Sequence, residues 1–454
     1  MFSHCQSGLP VICIANAVDT LRETMFRAPT EQERHRIHSA NFPQQDQATF
    51  WRPLDKLVIS ESPIVGFDWL CKFLGATQAR NVCPESGCGS LFRDVIKDTT
   101  LQQAIRDWCG EAGAFELIVH TSTPDLWPMV DFIRSQLRLR VELVESTPNQ
   151  KLRDYLDTKS GFRSLATELG LQDGPACIPH GKSCDTRIQA VDAVLQQLEL
   201  GRHAIVKPDR GEASVGLNIF SPGTPITTVQ TEIARNAYLG NDLIVVEEYV
   251  TGSNLSFPSI EYFIPAEGCG APHLTYVCSM LFGKPTELLG NFVQPPQRQE
   301  AWFDALVSAG HSIARAMQRA GYVGHFDIDT VIRGNEQALM LDLNPRRTGA
   351  THVHEFAAAY LGPNYQQTHW VGAVDLYDVK PRSLGEMLEI LGSCIRSPLT
   401  SAEGILPCEL TGLAMGRISL LIWALSAETA RSLRLTAENA LRDTSVIEAS
   451  ALVN

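Results

Sequence analysis

Short apolar runs alternate with a helical pattern along the first 150 residues. The runs VICIANAV, KLVIS, FELIVHT and RVELVES are typical of buried strands. Between the last two runs, apolar residues follow the i, i+3, i+4, i+7 spacing of one helix face, at Leu126, Met129, Val130 and Ile133. Because parallel strands need a crossover connection, strand, helix and strand in this order predict a parallel pair within an α/β layer.

The rest of the chain changes in character twice. Two helical segments are predicted over 151–200, and strand patterns dominate 203–350 around one long helix near 299–320. The apolar stripe of that helix predicts core packing and consists of Trp302, Phe303, Leu306, Ile313 and Met317. A last strand, ISLLIWAL, and a final helix predict a small α/β cap. Residues 27–53 show no clear period and are predicted to form a long surface connection.

Composition and charge narrow the possible partners. A chain of 454 residues is long enough for two to four domains, and its formal net charge of −13 argues against a nucleic-acid partner. No apolar run reaches the ~18–20 residues of a membrane-spanning helix, so no membrane partner is predicted. The twelve cysteines are scattered without a zinc-binding spacing, which indicates reduced thiols and a cytoplasmic protein. The oligomeric state stays open, a homodimer included.

The segment HAIVKPDRGEASVGL (203–217) is the first candidate for chemistry. A β-branched strand ends at Lys207, and a loop with Gly211, Ser214 and Gly216 follows. A lysine at a strand end can place its charge on phosphates while the amides of a glycine loop close over them. The alternative is a simple hairpin turn made by Pro208 and Gly211.

The segment DLIVVEEYVTG (242–252) is the second candidate. A buried strand ends in Glu247, Glu248, Tyr249 and Val250. Acceptors, backbone groups and apolar side chains at one strand end are what adenine recognition needs. The alternative is an exposed strand edge that carries charge for solubility.

The segment GYVGHFDIDTVIRGNEQALMLDLNPRRTG (321–349) is the strongest candidate. Asp327 and Asp329 share one face of a first strand, and Asp342 and Asn344 share one face of a second. If the two strands pair as a hairpin, their oxygen ligands converge, and oxygen ligands suit Mg²⁺, with Mn²⁺ as an alternative. Repulsion between these carboxylates predicts that Asp342→Asn leaves the metal-free protein as stable or slightly more stable.

Two arginines follow the second strand directly. Arg346 and Arg347 are predicted to place positive charge beside a transferring phosphoryl group. The alternative for the whole segment is an acidic surface hairpin.

In their order and spacing, these three segments resemble the ATP-grasp superfamily, over roughly residues 150–350. Asp329 and Asp342 lie thirteen residues apart, an interval usual in that superfamily. The resemblance implies two α+β lobes around ATP, with these ATP-binding positions: Lys159, Lys207, Gly211, Ser214, Gly216, Glu247, Glu248, Tyr249, Val250 and Asn254. It implies Asp329, Asp342 and Asn344 as metal ligands and Arg346 and Lys207 as catalytic residues. Arg347 is a third catalytic candidate, from its charge beside Arg346. This chain departs from the pattern at Asn254, where an acid usually binds the ribose, and at Asp342, where many members carry Glu.

Within the superfamily, NPRRTGATH and SPIVGFDWLCKFLG resemble the pheganomycin-type peptide ligases. The resemblance implies a multidomain α/β and α+β chain: a Rossmann-like pre-ATP-grasp domain (1–150), an ATP-grasp domain (151–375) and a small C-terminal domain (376–454). It implies an ATP-dependent carboxylate–amine ligase that acts through an acyl phosphate on small-molecule carboxylate and amine or peptide substrates. The alternatives are a regulatory protein that binds ATP without ligation, and a carboxylate kinase or thioester-forming ligase. His352 and His354 are predicted to pack at a helix start or to line a substrate pocket.

Overall fold

A five-stranded parallel sheet forms the N-terminal part of the chain. The computed structural model describes residues 8–212, 214–252, 255–283, 288–294, 300–334 and 336–442. The sheet has the order β3-β2-β1-β4-β5 and consists of β1 (Val11–Ile14), β2 (Leu57–Ile59), β3 (Arg80–Val82), β4 (Ala114–Val119) and β5 (Arg140–Leu143). The four apolar runs therefore form strands as predicted, whereas the short and largely polar β3 has no such run.

Six helices connect or flank these strands within the described residues: α1 (Arg22–Arg27), α2 (Glu31–Asn41), α3 (Phe67–Phe73), α4 (Leu91–Lys97), α5 (Thr99–Cys109) and α6 (Leu126–Phe132). The predicted surface connection over 27–53 is wrong. Thr30 caps α2 through the amide of Glu33, and the following turns bury Asp46 and Gln47. The partners of Asp46 and Gln47 lie more than 350 residues along the chain, so no local period reveals their burial.

A small antiparallel sheet follows the helices α7 (Gln150–Leu156) and α8 (Lys159–Glu168). Its order is β7-β10-β8-β9, with β7 (Gly181–Cys184), β8 (His203–Pro208), β9 (Asn218–Phe220) and β10 (Ile244–Tyr249). The helices α9 (Arg187–Glu199) and α10 (Ile226–Arg235) bury one face of this sheet, including Ala204 and Val206. Because side chains alternate along a strand, Ile205 and Lys207 lie on the other face.

The largest sheet has nine strands among the described residues, in the order β17-β18-β16-β13-β12-β11-β14-β15-β6. These strands are β6 (Ala176–Cys177), β11 (Pro258–Ile264), β12 (His273–Phe282), β13 (Leu288–Val293), β14 (Gly324–Arg333), β15 (Gln337–Asn344), β16 (Trp370–Leu376), β17 (Gly404–Pro407) and β18 (Ile418–Ala424). The predicted division after residue 375 falls inside β16, whose neighbours β13 and β18 belong to the same sheet. The division into three domains stays a prediction.

Four more helices complete the described chain: α11 (Ala301–Arg319), α12 (Thr351–Tyr360), α13 (Leu384–Leu391) and α14 (Ala427–Leu441). The predicted apolar stripe of α11 is buried against one face of the large sheet, together with Ile260, Ile328 and Met340. Alternation along β14 then turns Asp327 and Asp329 to the opposite face. In β15 a register shift between the Asp329–Asp342 and Thr330–Met340 pairs leaves Leu341 as an extra residue, and this bulge turns Asp342 to the same face as the two β14 acids. None of the described helices is long and apolar enough to cross a membrane.

The closeness of α11 to β11 rests on Gly310. A Cβ at Gly310 would lie 2.6 Å from the Cδ1 atom of Ile260 and 2.8 Å from the Cε2 atom of Tyr262, and both side chains are fully buried. We expect Gly310→Ala to lower the free energy of unfolding by about 1–3 kcal/mol, because overpacking outweighs the better helix propensity of alanine. Denaturant unfolding measures the change.

Ser312→Ala, at an exposed position of α11, is the matched control and should be neutral or slightly stabilising. A Gly310→Ala protein as stable as the control would contradict this account of the packing.

Candidate functional site

A cavity of about 1100 Å³ lies between the small sheet, the large sheet and the N-terminal segment. Lys207 and Glu247 line it from the small sheet, and Asp329 and Asp342 line it from the large sheet. Asn41, Gln44 and Gln47, from the segment that sequence analysis placed on the surface, also line it.

The β14–β15 hairpin brings the predicted metal ligands together. Asp329 pairs directly with Asp342, and Asp327 pairs with Asn344. The Nδ2 atom of Asn344 donates to Asp327 at 2.8 Å and to Asp329 at 3.1 Å. Burial, and next the charge of Asp342, raises the pKa of Asp329 to about 6. Burial also raises the pKa of Asp327 well above its usual range. The hairpin thus brings together carboxyl groups whose negative charge the neighbouring cations do not fully compensate.

Lys159 supplies part of that charge. Its Nζ atom lies 2.8 Å from Oδ2 of Asp342 and donates to the carbonyl of Gly211 at 2.9 Å. Thr158 caps α8 and places Lys159 on the first helical turn. Burial, the largest single effect, lowers the pKa of Lys159, but the carboxylates of Asp342, Glu212 and Asp157 together raise it above its usual value. Lys159 therefore connects the carboxylate hairpin to the phosphate-loop segment.

Lys207 is held by the strand beside it. Its Nζ atom lies 2.7 Å from Oε2 of Glu247 and donates to the carbonyl of Leu341 at 3.1 Å. The other oxygen of Glu247 accepts from Arg163 at 2.7 Å. A lysine held on both sides is fixed in position at the cavity wall.

The predicted adenine strand end has its two acids in different surroundings. Glu248 contacts Arg333 at 2.8 Å and accepts from the amide of His180 at 3.3 Å, whereas Glu247 faces Lys207. Tyr249 and Val250 follow and line the cavity. Because both carboxylates are engaged by protein groups, the backbone of Glu248 to Val250 is better suited to read a base edge than the side chains are.

Apolar walls flank this strand end, and sequence analysis missed them. Ile205, Val331 and Leu341 line the cavity from the two facing sheets, together with Leu255 and Phe257. Alternation was the available signal, because Ile205 is two residues before Lys207 and Val331 is two residues after Asp329. The walls form an apolar slot of the kind that binds a planar base.

The predicted phosphate loop has an unusual backbone. Ser214 has φ +59° and Gly216 has φ +79°, and Asn236 donates to the carbonyl of Gly216 at 2.7 Å. A Cβ at Gly216 would lie 2.5 Å from the Cβ atom of Tyr238, so this position requires glycine. Gly211 and Ser214 line the cavity. The predicted ribose position, Asn254, lies outside the described residues.

The two predicted arginines have separate environments. Arg346 donates to Oδ1 of Asn344 at 2.8 Å and to Glu212 of the phosphate loop at 2.9 Å, so it lies at the carboxylate hairpin. Arg347 is 2% exposed, binds Glu145 at 2.8 Å and Glu355 at 2.7 Å, and lies over the ring of Trp51 at 4.8 Å. Arg346 thus contacts one predicted metal ligand, Asn344, whereas the charge of Arg347 is matched by two buried carboxylates.

A buried row of charges continues from Arg347. The Nε2 atom of His325 lies 3.7 Å from Glu145, and its Nδ1 atom lies 3.0 Å from Glu261. Burial alone would lower the pKa of His325, but the carboxylates of Glu261 and Glu145 raise it to about 9. Glu261 also accepts from Tyr276 at 2.9 Å and from Thr351. This row links the segment after β5 to the large sheet behind the cavity.

The hairpin suits a magnesium ion that binds together with phosphates. Within the described residues no three His, Cys, Asp or Glu side chains form a ready metal cage, and Asp342 is turned to Lys159. Mg²⁺ commonly takes only one or two carboxylates and completes its shell with water and nucleotide phosphates. The carboxylate oxygens of Asp329 and Asp342, together with the raised pKa values of the buried carboxyls, fit that mode. Asn344 faces the aspartates with its Nδ2 atom and Arg346 with its Oδ1 atom, so its amide would have to turn to offer its oxygen to the ion.

The arrangement of the sheets around the cavity is that of the ATP-grasp fold. Several solved structures have the same fold. The biotin carboxylase of Campylobacter jejuni, in a β,γ-ATP complex, matches 95% of this chain and 91% of its own length at TM-score 0.58 and 12% identity. The N5-carboxyaminoimidazole ribonucleotide synthetase of Thermus thermophilus matches 95% and 98% at TM-score 0.53 and 11% identity.

A third match adds a metal-bound nucleotide. The biotin carboxylase domain of the Hydrogenobacter thermophilus 2-oxoglutarate carboxylase, in complex with MgADP, ADP and bicarbonate, covers 94% of this chain and 89% of its own length at TM-score 0.50 and 13% identity. No protein-family model matches the chain, and no curated protein matches it. At these identities the likeness concerns the fold alone.

Asp342→Asn tests the Lys159 contact. Carboxylate repulsion alone predicted that this variant is as stable as the wild type or slightly more stable. The Lys159–Asp342 ion pair predicts a loss of stability instead, because the variant leaves the mostly buried Lys159 without its carboxylate partner. We expect the free energy of unfolding without nucleotide to fall by about 1–3 kcal/mol, a value reduced because Asp342 is partly exposed. Thermal or denaturant melts of both proteins measure it, and a more stable variant would show that repulsion dominates.

His325→Gln tests the buried row of charges. The raised pKa of His325 means that its contribution to stability is complete below pH ~6.5, the unfolded value, and is lost as the pH rises through about 9. The wild type should exceed the variant by on the order of 3 kcal/mol near pH 6, and by much less near pH 10. Denaturant unfolding across this range measures the difference.

His354→Gln is the control for this titration. Burial lowers the pKa of His354 to about 4, so its charge does not change between pH 6 and 10. Only the unfolded imidazole titrates, near pH 6.5, so the stability difference for this control should change by less than about 1 kcal/mol between pH 6 and 7.5 and stay constant from there to pH 10. A His325→Gln difference equally independent of pH would contradict the charge assignment.

Proposed function

We propose that this protein is an ATP-dependent carboxylate–amine ligase that acts through an acyl phosphate. The observation that carries the proposal is the convergence of Lys159, Lys207 and Arg346 with the Asp329–Asp342 strand pair in one cavity. Cations that face clustered carboxylates are suited to a substrate that carries both phosphates and a metal ion. The shared fold with enzymes solved as ATP and MgADP complexes supports the nucleotide part of the proposal.

In the proposed complex the base occupies the apolar slot between Ile205, Val331 and Leu341. Backbone groups of Glu248 to Val250 read its edge, which favours adenine over guanine because the two edges present opposite donors and acceptors. Lys159, Lys207 and the amides of the loop from Gly211 to Gly216 contact the phosphates. Phosphates that bind Lys159 would compete with Asp342 for its ammonium group and release that carboxylate.

Asp329, Asp342 and Asn344 would hold the magnesium ion. When bound, Mg²⁺ supplies positive charge that neutralises the phosphate oxygens. The Asn344 oxygen now accepts from Arg346, so an ion that takes this oxygen would free the guanidinium group for the transferring phosphoryl group.

The chemistry needs no nucleophile from the protein. A substrate carboxylate oxygen bonds to the γ-phosphorus, the bond to the β–γ bridging oxygen breaks, and ADP leaves with the electron pair. Lys207 and Arg346 stabilise the charge that develops on the transferring group. An amine then attacks the acyl carbon, and phosphate leaves with the proton that the amine nitrogen gives up. The amides of Gly349 and Ala350 would hold the tetrahedral oxyanion, since the Thr351 amide already donates to the carbonyl of Thr348.

Arg347 has a supporting part in this proposal. Its two carboxylate partners and its position against Trp51 favour a role in holding the segment after β15 in place. The sequence-based assignment of Arg347 to phosphoryl transfer is therefore the weakest of the three catalytic assignments, and Arg346 and Lys207 take that part.

The resemblance to pheganomycin-type ligases directs the substrate search toward peptide assembly. The experiment is a panel of amino acids and short peptides as carboxylate and amine donors, scored by ADP release and by product mass. An amide product supports ligation, a hydroxylamine-trapped acyl group without amide indicates a carboxylate kinase, and nucleotide binding without ADP release indicates a regulatory protein. GTP in place of ATP should give little release of GDP if the base slot is assigned correctly.

Lys207→Ala tests the phosphate contact. Glu247 keeps Arg163 as a partner, so the fold should survive while ADP release falls by about 10²–10³-fold, the usual cost of one charge-stabilising group. Circular dichroism and melting temperature report the fold, and coupled ADP release reports the activity.

Lys182→Ala is the matched control, since Lys182 is exposed on the same small sheet. It should release ADP at the wild-type rate. Equal activity of both variants would remove Lys207 from the site.

A further inference from the structure

The imidazole ring of His352 is buried and has no hydrogen-bonding partner in the part of the chain that the structure describes. Its side chain is 1% exposed, and neither ring nitrogen has a hydrogen-bond partner among the described residues. His352 lines the cavity. Leaving a buried polar group without a hydrogen bond costs about 1–3 kcal/mol of folding free energy. Two such nitrogen atoms at a cavity wall are therefore expected where a ligand supplies the hydrogen bonds.

His120 repeats this feature from the N-terminal sheet. It follows β4, is 5% exposed, lines the same cavity, and its Nδ1 atom is also without a partner within the described chain. Burial, and then the charges of Arg346 and Arg347, lowers the pKa of His120, and His352 contributes in the same direction. His120, His352 and Arg346 thus line one cavity, and both Arg346 and His352 act electrostatically on His120.

The first turn of α12 adds a third element. His352 is the second residue of this ten-residue helix, and its N-cap residue Ala350 provides no side-chain hydrogen bond. Gly349 and Ala350 line the cavity beside it. The amide groups at a helix N-terminus favour an anion.

His354 shows what a structural histidine looks like in the same helix. Its Nδ1 atom lies 2.9 Å from the hydroxyl of Tyr365, and its ring packs at 5.4 Å from that of Tyr276. The two histidines of the HxH sequence therefore differ in their surroundings. His354 is hydrogen-bonded within the core, whereas the ring nitrogens of His352 face the cavity without a hydrogen-bonding partner among the described residues.

We propose that His352 and His120 form a neutral hydrogen-bonding subsite that, with Arg346 and the first turn of α12, binds the carboxylate group of the acid substrate. The inference rests on the proposed function and names the residues that hold its first substrate. Neutral imidazoles donate N–H groups without adding charge. One guanidinium and two neutral donors match a monoanionic carboxylate, whereas a phosphate dianion would need more positive charge.

The subsite would also hold the acyl group after phosphoryl transfer. Only one carboxylate oxygen bonds to phosphorus, so the other stays available to an imidazole N–H. His352 and His120 would then bind the substrate without accepting or releasing a proton. The side chain of the acid would extend past Ala373 toward Asp375 and Tyr377, where the cavity continues.

Acetate is the probe for this subsite, and inorganic phosphate is the competing anion. Saturation-transfer NMR on the full chain, with and without Mg-ADP, measures acetate binding to the wild type, His352→Phe and His352→Gln. We expect the acetate Kd to rise at least roughly tenfold in His352→Phe, the factor expected for one lost hydrogen bond to a charged group. His352→Gln retains an N–H donor and should recover part of the affinity.

Two readouts separate binding from structural support. His352→Phe removes two unpaired nitrogens beside Phe50, so its melting temperature should equal or exceed that of the wild type. The melting shift caused by Mg-ADP should stay unchanged. His354→Asn, the control in the same helix, should bind acetate like the wild type.

The outcomes distinguish this inference from the proposed function. Wild-type acetate affinity in His352→Phe, no acetate binding to the wild type, or tighter binding of phosphate than of acetate would each overturn the subsite. Acetate binding that depends on His352 without any Mg-ADP shift would support the subsite and contradict the ligase. If His352→Phe fails to fold, the comparison of His352→Gln with His354→Asn decides, since an unchanged acetate Kd in both would overturn the subsite.

Discussion

The register of β14 against β15 is the constraint on which the rest of the site depends. It sets Asp329 opposite Asp342 and Asp327 opposite Asn344 on one face, while α11 buries the other face. A shift of one residue in that pairing would turn the carboxylates into the apolar core. Burying these carboxylates in the apolar core would cost free energy, and this cost fixes the register. The register in turn determines where the carboxylates lie relative to Arg346, Lys159 and a candidate metal ion.

The same pairing creates a surplus of negative charge that neighbouring cations balance. Lys159 contacts Asp342, Lys207 contacts Glu247, and Arg346 contacts Glu212. Each cation of the candidate site thus has an internal carboxylate partner. In a chain with a formal net charge of −13, these pairs hold the cations at the cavity wall.

Sequence patterns predicted the parts of the structure that depend on local order. Alternation placed the acids of the β14–β15 hairpin on one face, and the stripe of α11 predicted its buried side. The apolar wall at Val331 followed the same alternation but was not predicted, whereas Leu341 lines the cavity beside Asp342 because of the bulge in β15, which alternation does not reveal. Residues 45–51 could not be predicted, because Asp46 and Gln47 are buried by partners such as Thr411 and Glu409. The contrast between His352 and His354 also depends on distant residues that no spacing reveals.

The sheet that carries the carboxylates continues into the last part of the chain, through β16, β18 and β17. On one of its two edges, the backbone of β13 pairs with β16 and with no other strand of the described chain. A fragment that stopped before β16 would leave β13 with a row of open amide and carbonyl groups, the kind of edge along which chains associate. The segment that carries β16 to β18 is therefore poorly suited to being swapped alone between related proteins. A soluble chimaera has to keep this segment together with the β14–β15 hairpin.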